Sequence, residues 1–256
     1  MSSPLISCLM VTAGRADLAE RAVQCFAAQT WPRRELVIVD DGADDYEPML
    51  ARYRDRATIR YQRIAPQPGR LLGALRNLSL DLAAGDCCTQ WDDDEWYHPE
   101  RLARQMAARS GANGASVLRY TLMHVNVEPF RDHPFRTGLR RGTPGTLLHP
   151  RSPIRYPNLA RGEDSVYAAL IRAAHPTTRL GLDHSHLFIR CYHGTNTWEA
   201  GHFVERLQYT WRDKIEYLRA TYLARNLWSH RAFQLTDAER ASADAYLAQS
   251  RVLGLA

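Results

Sequence analysis

The sequence predicts an α/β fold built on a parallel sheet. Three observations carry this: short apolar runs ending in acids or small residues, helical periodicity between them, and the order strand, helix, strand, strand, helix, strand over residues 5–91. Continuous apolar runs suit strands buried on both faces, since a half-exposed strand would alternate.

"LISCLMV" (5–11) is the first such strand. No basic leader precedes it, and Asp17 and Glu20 soon follow, so it is expected to be a strand and not a signal peptide. A helix is expected from about Asp17, with Leu18, Ala22 and Phe26 on one face. "ELVIVDDG" (35–42) is a second buried strand, and "TIRYQRI" (58–64) alternates as a third would. "GRLLGALRNLSLDLAAG" (69–85) sets Leu71, Leu75, Leu78 and Leu82 on one helical face, with Gly85 as a stop. "DCCTQW" (86–91) is a short strand running into Asp92, Asp93, Asp94 and Glu95.

Residues 123–162 differ in character. They hold six of the 13 prolines, and residues 131–161 carry seven arginines against one acid, Asp132. Loop with short strands is expected, and loops this long in a compact domain are often functional. "EDSVYAALIRAA" (163–174) returns to helix and "HLFIRCYH" (186–193) to strand. Phe203, Leu207, Trp211, Ile215, Leu218 and Tyr222 mark a long amphipathic helix. Thr236 and Glu239, at capping-box spacing, start a last one.

With 256 residues, 45% hydrophobic and 24% charged, the chain can bury a sizeable core. No apolar run approaches the roughly 20 residues that span a bilayer. The net charge of +5 is almost wholly arginine, Lys214 being the only lysine. Arginine's planar fork suits phosphate, although a codon bias explains the same count. The excess is compatible with a phosphorylated ligand, an anionic membrane face or nucleic acid. Five cysteines form no CxxC pair, and Cys87 and Cys88 are adjacent, so buried thiols in a reducing cytoplasm are expected. His184 and His186 lack the further ligands a zinc site needs.

In open α/β sheets, ligands sit outside the carboxyl ends of the strands. Thr12, Asp40–Asp41 and Asp92–Asp94 all fall at expected carboxyl ends. Crowded carboxylates raise one another's pKa, and a divalent cation relieves the crowding. Mg²⁺ and Mn²⁺ prefer oxygen, and Mg²⁺ takes one or two carboxylates plus substrate phosphates. The acids are therefore expected to hold a metal and, through it, a diphosphate. A solvated acidic turn capping the helix near Pro99 is the alternative on this stretch alone.

Three blocks, right in order and spacing, extend the reading. "PLISCLMVTAGR…AVQCFAAQTWPRRELVIVDDGADD", "GALRNLSLDLAAGDCCTQWDDDEWYHPERL" and "GTLLHPRSPIRYPNLARGEDSVYAALI" resemble family 2, GT-A-type glycosyltransferases over roughly residues 4–195. The resemblance implies a GT-A fold, a Rossmann-like mixed sheet flanked by helices, over 1–200. Residues 201–256 would be a helical C-terminal extension packed on it. It implies a nucleotide-sugar donor (a UDP-sugar first), Mn²⁺ or Mg²⁺, and transfer to an acceptor hydroxyl with inversion.

By position, Asp92 and Asp94 match the outer residues of the family's DXD motif, with Asp94 the direct metal ligand and Asp93 nearer the donor ribose or sugar. Asp41 matches the acid that contacts the nucleobase, and the backbone at Thr12 and Ala13 would wall the base pocket. Family members commonly show Tyr-Asn where this chain has Ala13-Gly14, which leaves the base without an aromatic neighbour. Arg70 and Arg76 end the segment that helps hold the nucleotide, a surface helix arginine being the alternative for Arg76. Asp164 of "RGEDSVY" matches the catalytic base, with Glu163 orienting it or contacting an acceptor hydroxyl. Ordinary first-turn helix acids are the alternative there. His193 of "CYHGTNTW" lies where some relatives place a metal- or diphosphate-contacting histidine, a structural histidine being the alternative.

The acceptor implied is a glycan, a lipid-linked saccharide or a protein, in bacterial polysaccharide or glycoconjugate synthesis. A rival reading is a non-catalytic module that binds nucleotide sugar or glycan, but such a module has no use for a base. A nucleic-acid binder is disfavoured, since no recognised motif is present and acids sit where phosphates would approach. A cytoplasmic protein is expected. Its final helices are free to dock a partner, pair two subunits in a homodimer or rest peripherally on the inner membrane face. The arginines of 131–161 fit an anionic acceptor, a membrane surface or a solvated loop face.

Overall fold

The computed structural model describes residues 3–194, 196 and 199–255. The first half runs β1 (Ile6–Thr12), α1 (Ala16–Ala27), β2 (Arg34–Asp40), α2 (Glu47–Ala51), β3 (Thr58–Arg63), α3 (Leu72–Leu82) and β4 (Cys87–Gln90). There follow β5 (Trp96–Tyr97), α4 (Arg101–Ala107), β6 (Ala115–Leu118), β7 (Tyr120–Val125), β8 (Phe135–Gly138) and β9 (Leu148–Pro150). The rest comprises α5 (Glu163–Ala174), β10 (Thr177–Leu180), β11 (Phe188–Tyr192), α6 (Ala200–Val204), α7 (Trp211–Leu218) and α8 (Asp237–Val252).

The main sheet has the order β10-β6-β9-β4-β1-β2-β3. Its strands are parallel except β9, which runs antiparallel between β4 and β6. From β1 the chain moves outward to β2 and β3, then returns to β4 on the other side of β1. Strand order therefore reverses between β1 and β4, the place in such sheets where a crevice opens at the carboxyl ends. A second sheet, β5-β11-β7-β8, stands beside it.

The apolar runs are continuous because both faces of the main sheet are covered. Ile6, Cys8, Met10, Leu36 and Ile38 join one core with Phe26 of α1 and Tyr246 of α8. Leu9, Val37 and Cys88, one register step away, pack with Leu80 of α3 and Ile171 of α5. Side chains alternate between faces, so each strand serves both cores.

Three expectations about helices are corrected. On α3 the buried positions are Gly73, Leu75, Arg76, Ser79 and Leu80, while Leu71 is exposed, because ion pairs draw Arg76 inward. Gly85 does not stop this helix by a left-handed turn. The helix ends at Leu82, and Gly85 allows close approach, since a Cβ there would lie 2.5 Å from Ser7 Oγ. The long helix expected over 203–222 is broken. Phe203 and Leu207 are buried with Met123 and Phe135, and a capping box of Thr210 with Asp213 starts α7 afresh, none of whose residues is buried.

The capping box at Thr236 and Glu239 forms as expected and opens α8. This helix docks through Ser250 Oγ to Arg21 Nη1 (3.1 Å), Gln249 Oε1 to Trp96 Nε1 (2.9 Å) and Tyr246 to His124 Nδ1 (2.7 Å). Among the described residues, no helix is long and apolar enough to cross a membrane.

Candidate active site

The acids after β4 stand on an aromatic anchor. Trp91 stacks on Tyr97 with ring centroids 3.8 Å apart, and its indole N–H donates to the carbonyl of Ala22 at 3.0 Å. Tyr97 donates its hydroxyl to the carbonyl of Asp92 at 3.0 Å, and Arg21 donates to the carbonyl of Asp94 at 2.6 Å. The backbone is thus fixed at two points while the carboxylates meet other groups.

Asp93 turns inward. It accepts from Thr12 Oγ1 at 2.6 Å and pairs with Arg15 Nη2 at 2.9 Å, joining the ends of β1 and β4 across the reversal. Thr12 gives its one proton to Asp93, so Tyr46, 2.9 Å away, must donate to Thr12. Burial, with the charge of Asp94 beside it, pushes the Asp93 carboxyl up. Asp94 Oδ2 faces Arg15 Nη1 at 3.2 Å, His193 Nε2 at 3.3 Å and Asn196 Nδ2 at 3.4 Å. Burial would raise the Asp94 carboxyl, but the His193 hydrogen bond and the Arg15 charge outweigh it and hold it low. Asp92 accepts from Gln90 Nε2 at 2.6 Å and Arg76 Nη2 at 3.1 Å. Glu95, also on the cavity wall, accepts from the backbone N–H of Cys191 at 2.6 Å.

Arg76 links the two acid groups. Its Nη2 holds Asp92, and its Nε donates to Glu163 Oε1 at 2.9 Å. Burial pushes the Glu163 carboxyl up, and Arg76 only partly offsets this. Glu163 and Asp164 open α5 behind Gly162, whose φ of +75° is the left-handed conformation glycine tolerates. Asp164 accepts from the N–H of Ser165 at 2.6 Å and is half-buried. Arg76, Asp92, Asp93, Asp94, Glu163 and Asp164 line one cavity of about 340 Å³, with Arg161, Arg190 and Arg206 also on its wall.

Other expected site residues lie off this wall. Thr12, Ala13 and Asp41 stay at the ends of β1 and β2, where the loops touch so closely that a Cβ on Gly42 would lie 2.6 Å from Gly14 N. Arg70 is tied into its own loop by Ala65 O and Gln67 Oε1. His193 contacts Asp94 from a neighbouring cavity that also shares Arg15. Arg15, Gln90 and Asn196 were not anticipated. Arg15 had a signal, since crowded carboxylates require a cation and it stands in the loop that leaves the first strand.

The donor set bears on a metal. Among the described residues, no three His, Cys, Asp or Glu side chains converge as a cage. Asp94 Oδ2 and His193 Nε2 are nonetheless 3.3 Å apart. Two neighbouring ligands of an octahedral ion at about 2.1 Å are roughly 3 Å apart. The pair therefore fits one edge of such an ion, leaving other positions to phosphate and water oxygens.

The family model described as glycosyl transferase family 2 matches residues 7–174, about two thirds of the chain and both acid groups. This chain belongs to glycosyltransferase family 2. His193 and α6 to α8 lie beyond the family match.

Two curated relatives carry provisional transferase names. EpsH of Bacillus subtilis (strain 168), named as a glycosyltransferase, is 27% identical over 111 residues, covering 43% of this chain and 32% of that protein. WcaA of Escherichia coli (strain K12), named as a colanic acid biosynthesis glycosyl transferase, is 32% identical over 102 residues, covering 40% of this chain and 37% of that protein. The chain thus aligns with about a third of each relative's length. Among solved structures, S. aureus TarS 1–349 in complex with UDP aligns with a TM-score of 0.59 at 16% identity, over 92% of this chain and 77% of that one. The mannosyltransferase PcManGT from Pyrobaculum calidifontis, in complex with GDP-Man and Mn²⁺, gives a TM-score of 0.55 at 15% identity, over 98% and 76%. These likenesses establish the fold: a family 2 chain with the mixed, helix-flanked sheet of GT-A glycosyltransferases.

Proposed function

We propose that this family 2 chain is a metal-dependent, inverting glycosyltransferase that moves a sugar from a nucleotide-sugar donor, a UDP-sugar first, to an acceptor hydroxyl in polysaccharide or glycoconjugate synthesis. One observation carries the reading: Asp92 and Asp94, from the turn after β4, and Asp164, from the start of α5, line one cavity at the reversal of strand order. The unit responsible would be residues 1–200, with 201–256 as an extension held by α8.

Asp94 and His193 would hold the ion, with Asp92 beside them steadied by Gln90 and Arg76. When bound, Mn²⁺ or Mg²⁺ supplies Lewis-acid stabilisation of the charge on the leaving diphosphate. Asp164 takes the acceptor's proton as that oxygen bonds to the anomeric carbon and the bond to the diphosphate oxygen breaks. Its half-buried carboxylate, at the start of α5, can reach an incoming hydroxyl. Glu163, gripped by Arg76, fixes the first turn of α5 and so positions Asp164. Asp93 braces the loop from within through Thr12 and Arg15, and Thr12, Ala13, Asp41 and Arg70 would serve the nucleotide end of the donor, off the acid-lined wall.

The test is nucleotide release from UDP-, GDP- and dTDP-sugars with and without Mn²⁺, alongside donor binding by calorimetry. Metal-dependent release is expected from one donor class, and Asp94→Ala should abolish it. Asp164→Asn should bind donor as the native chain does yet transfer roughly 10²–10⁴-fold more slowly. Transfer at the native rate by Asp164→Asn would remove Asp164 from the mechanism.

A further inference from the structure

The segment from α7 to the π-helical turn at Arg219–Leu223 presents an apolar stripe to solvent. Trp211, Ile215 and Leu218 stand at i, i+4 and i+7 of α7, one face of a helix, and are 67%, 50% and 53% exposed. Tyr222 and Leu223 continue it at 71% and 80% exposure. Isolated exposed apolar residues are ordinary, but a contiguous row of five, on a helix that buries none of its residues and a turn that buries only Ala220, marks a binding surface.

The charges beside the stripe say what covers it. Asp213 and Glu216 are turned to the protein side, where both pair with Arg231. Arg212, Lys214, Arg219 and Arg225 are exposed, and none forms an ion pair among the described residues. The outer face of this element is therefore apolar and cationic, with both of its acids paired to Arg231. A second copy of the chain docked about a two-fold axis would set these cations against their own kind. An anionic lipid surface supplies both the apolar layer and the opposite charge, and exposed Trp and Tyr suit its interface.

We infer that α7 and the turn after it lie flat on an anionic membrane surface, with Trp211, Ile215, Leu218, Tyr222 and Leu223 in the headgroup–acyl boundary and the four cations against lipid phosphates. Asp213 of α7, with Tyr209 and Thr210 just before the helix, borders a cavity of about 420 Å³ that meets the acid-lined one at Leu139 and Arg206. The site would thus open toward the lipid face, so that an acceptor carried in the membrane reaches it. That consequence rests on the transferase reading, whereas the docking does not.

Co-sedimentation of the whole chain with phosphatidylcholine vesicles, with and without phosphatidylglycerol, tests the docking in the absence of any donor. Binding is expected only to the anionic vesicles and should weaken as salt rises. Each of Arg212→Gln, Lys214→Gln, Arg219→Gln and Arg225→Gln should weaken it by roughly fivefold. Trp211→Glu with Leu218→Glu should abolish it while leaving the thermal melt in place, since α7 buries none of its residues. The inference fails if the native chain stays in the supernatant with anionic vesicles, or if the double variant still binds them. It also fails if sedimentation without lipid reveals a dimer that Trp211→Glu splits.

Discussion

Asp92, Asp93 and Asp94 are neighbours in the chain but meet three environments: Gln90 with Arg76, Thr12 with Arg15, and His193 with Asn196 and Arg15. Their crowding was plain in the sequence, as was the need for neutralising charge. Which cation would serve each acid was not, because Arg76 and Arg15 reach them only once α3 and the β1 loop are in place. His149 shows the same dependence on surroundings. Its Nδ1 lies 2.7 Å from the carbonyl of Pro150, which can only accept, so Nδ1 carries the proton and Nε2 accepts from Tyr167 at 3.2 Å. Burial lowers its pKa to about 4. An unfolded histidine titrates near 6.5. Above that, both states are neutral and His149 is neutral to stability. As pH falls from about 6.5 to 4, only the unfolded chain takes up the proton, so stability is lost, on the order of 3 kcal/mol in all. Urea unfolding at pH 7 and pH 5 should show a smaller acid loss in His149→Gln than in the native chain. Equal losses would mean His149 is not held neutral.

At the scale of elements, α3 is fitted to the loop that leads into α5. Gly73 donates its N–H to Leu159 O at 3.2 Å, and a Cβ there would lie 1.9 Å from Pro157 O. Backbone cannot yield as a flexible side chain can, so Gly73→Ala should displace the 157–162 stretch. A stability loss of about 1–3 kcal/mol is expected in urea unfolding. Transfer should slow as well, because the stretch delivers Glu163 and Asp164; unchanged stability and rate would show that the loop is free to move. The glycine's role was invisible in the sequence, where it reads only as a mild helix defect. The 203–222 stripe failed differently. Its spacing was right, but periodicity alone cannot separate a row facing a core from a row facing outward. Only Phe203 and Leu207 found partners, and the Thr210 cap divided the rest.

For the whole molecule, the sheet order sets the site, since β1 and β4 are adjacent and their ends carry Thr12 and the acids. Covering both faces of that sheet also buries all five cysteines, which are free. Burial pushes the Cys25 thiol up to about 11 and those of Cys88 and Cys191 to about 12. Arg109 lies 2.9 Å from Cys87 Sγ and only partly offsets the effect of burial there. A thiol reagent at mildly alkaline pH should therefore label none of the five in the native chain and all five in guanidinium. Prompt labelling of the native protein would mean that the sheet faces open.

The sequence by itself determined the strand-rich first half, the continuous burial of its strands and the placing of acids at their carboxyl ends. These follow from local spacing and local charge, which a linear string records. Tertiary structure alone decided that β9 runs antiparallel within the sheet, that Arg76 binds Glu163 across 87 residues of chain, and which half of the last apolar stripe is covered. Each of those depends on contacts between distant segments, whose partners are fixed only when the sheet closes its order and the helices settle on its faces.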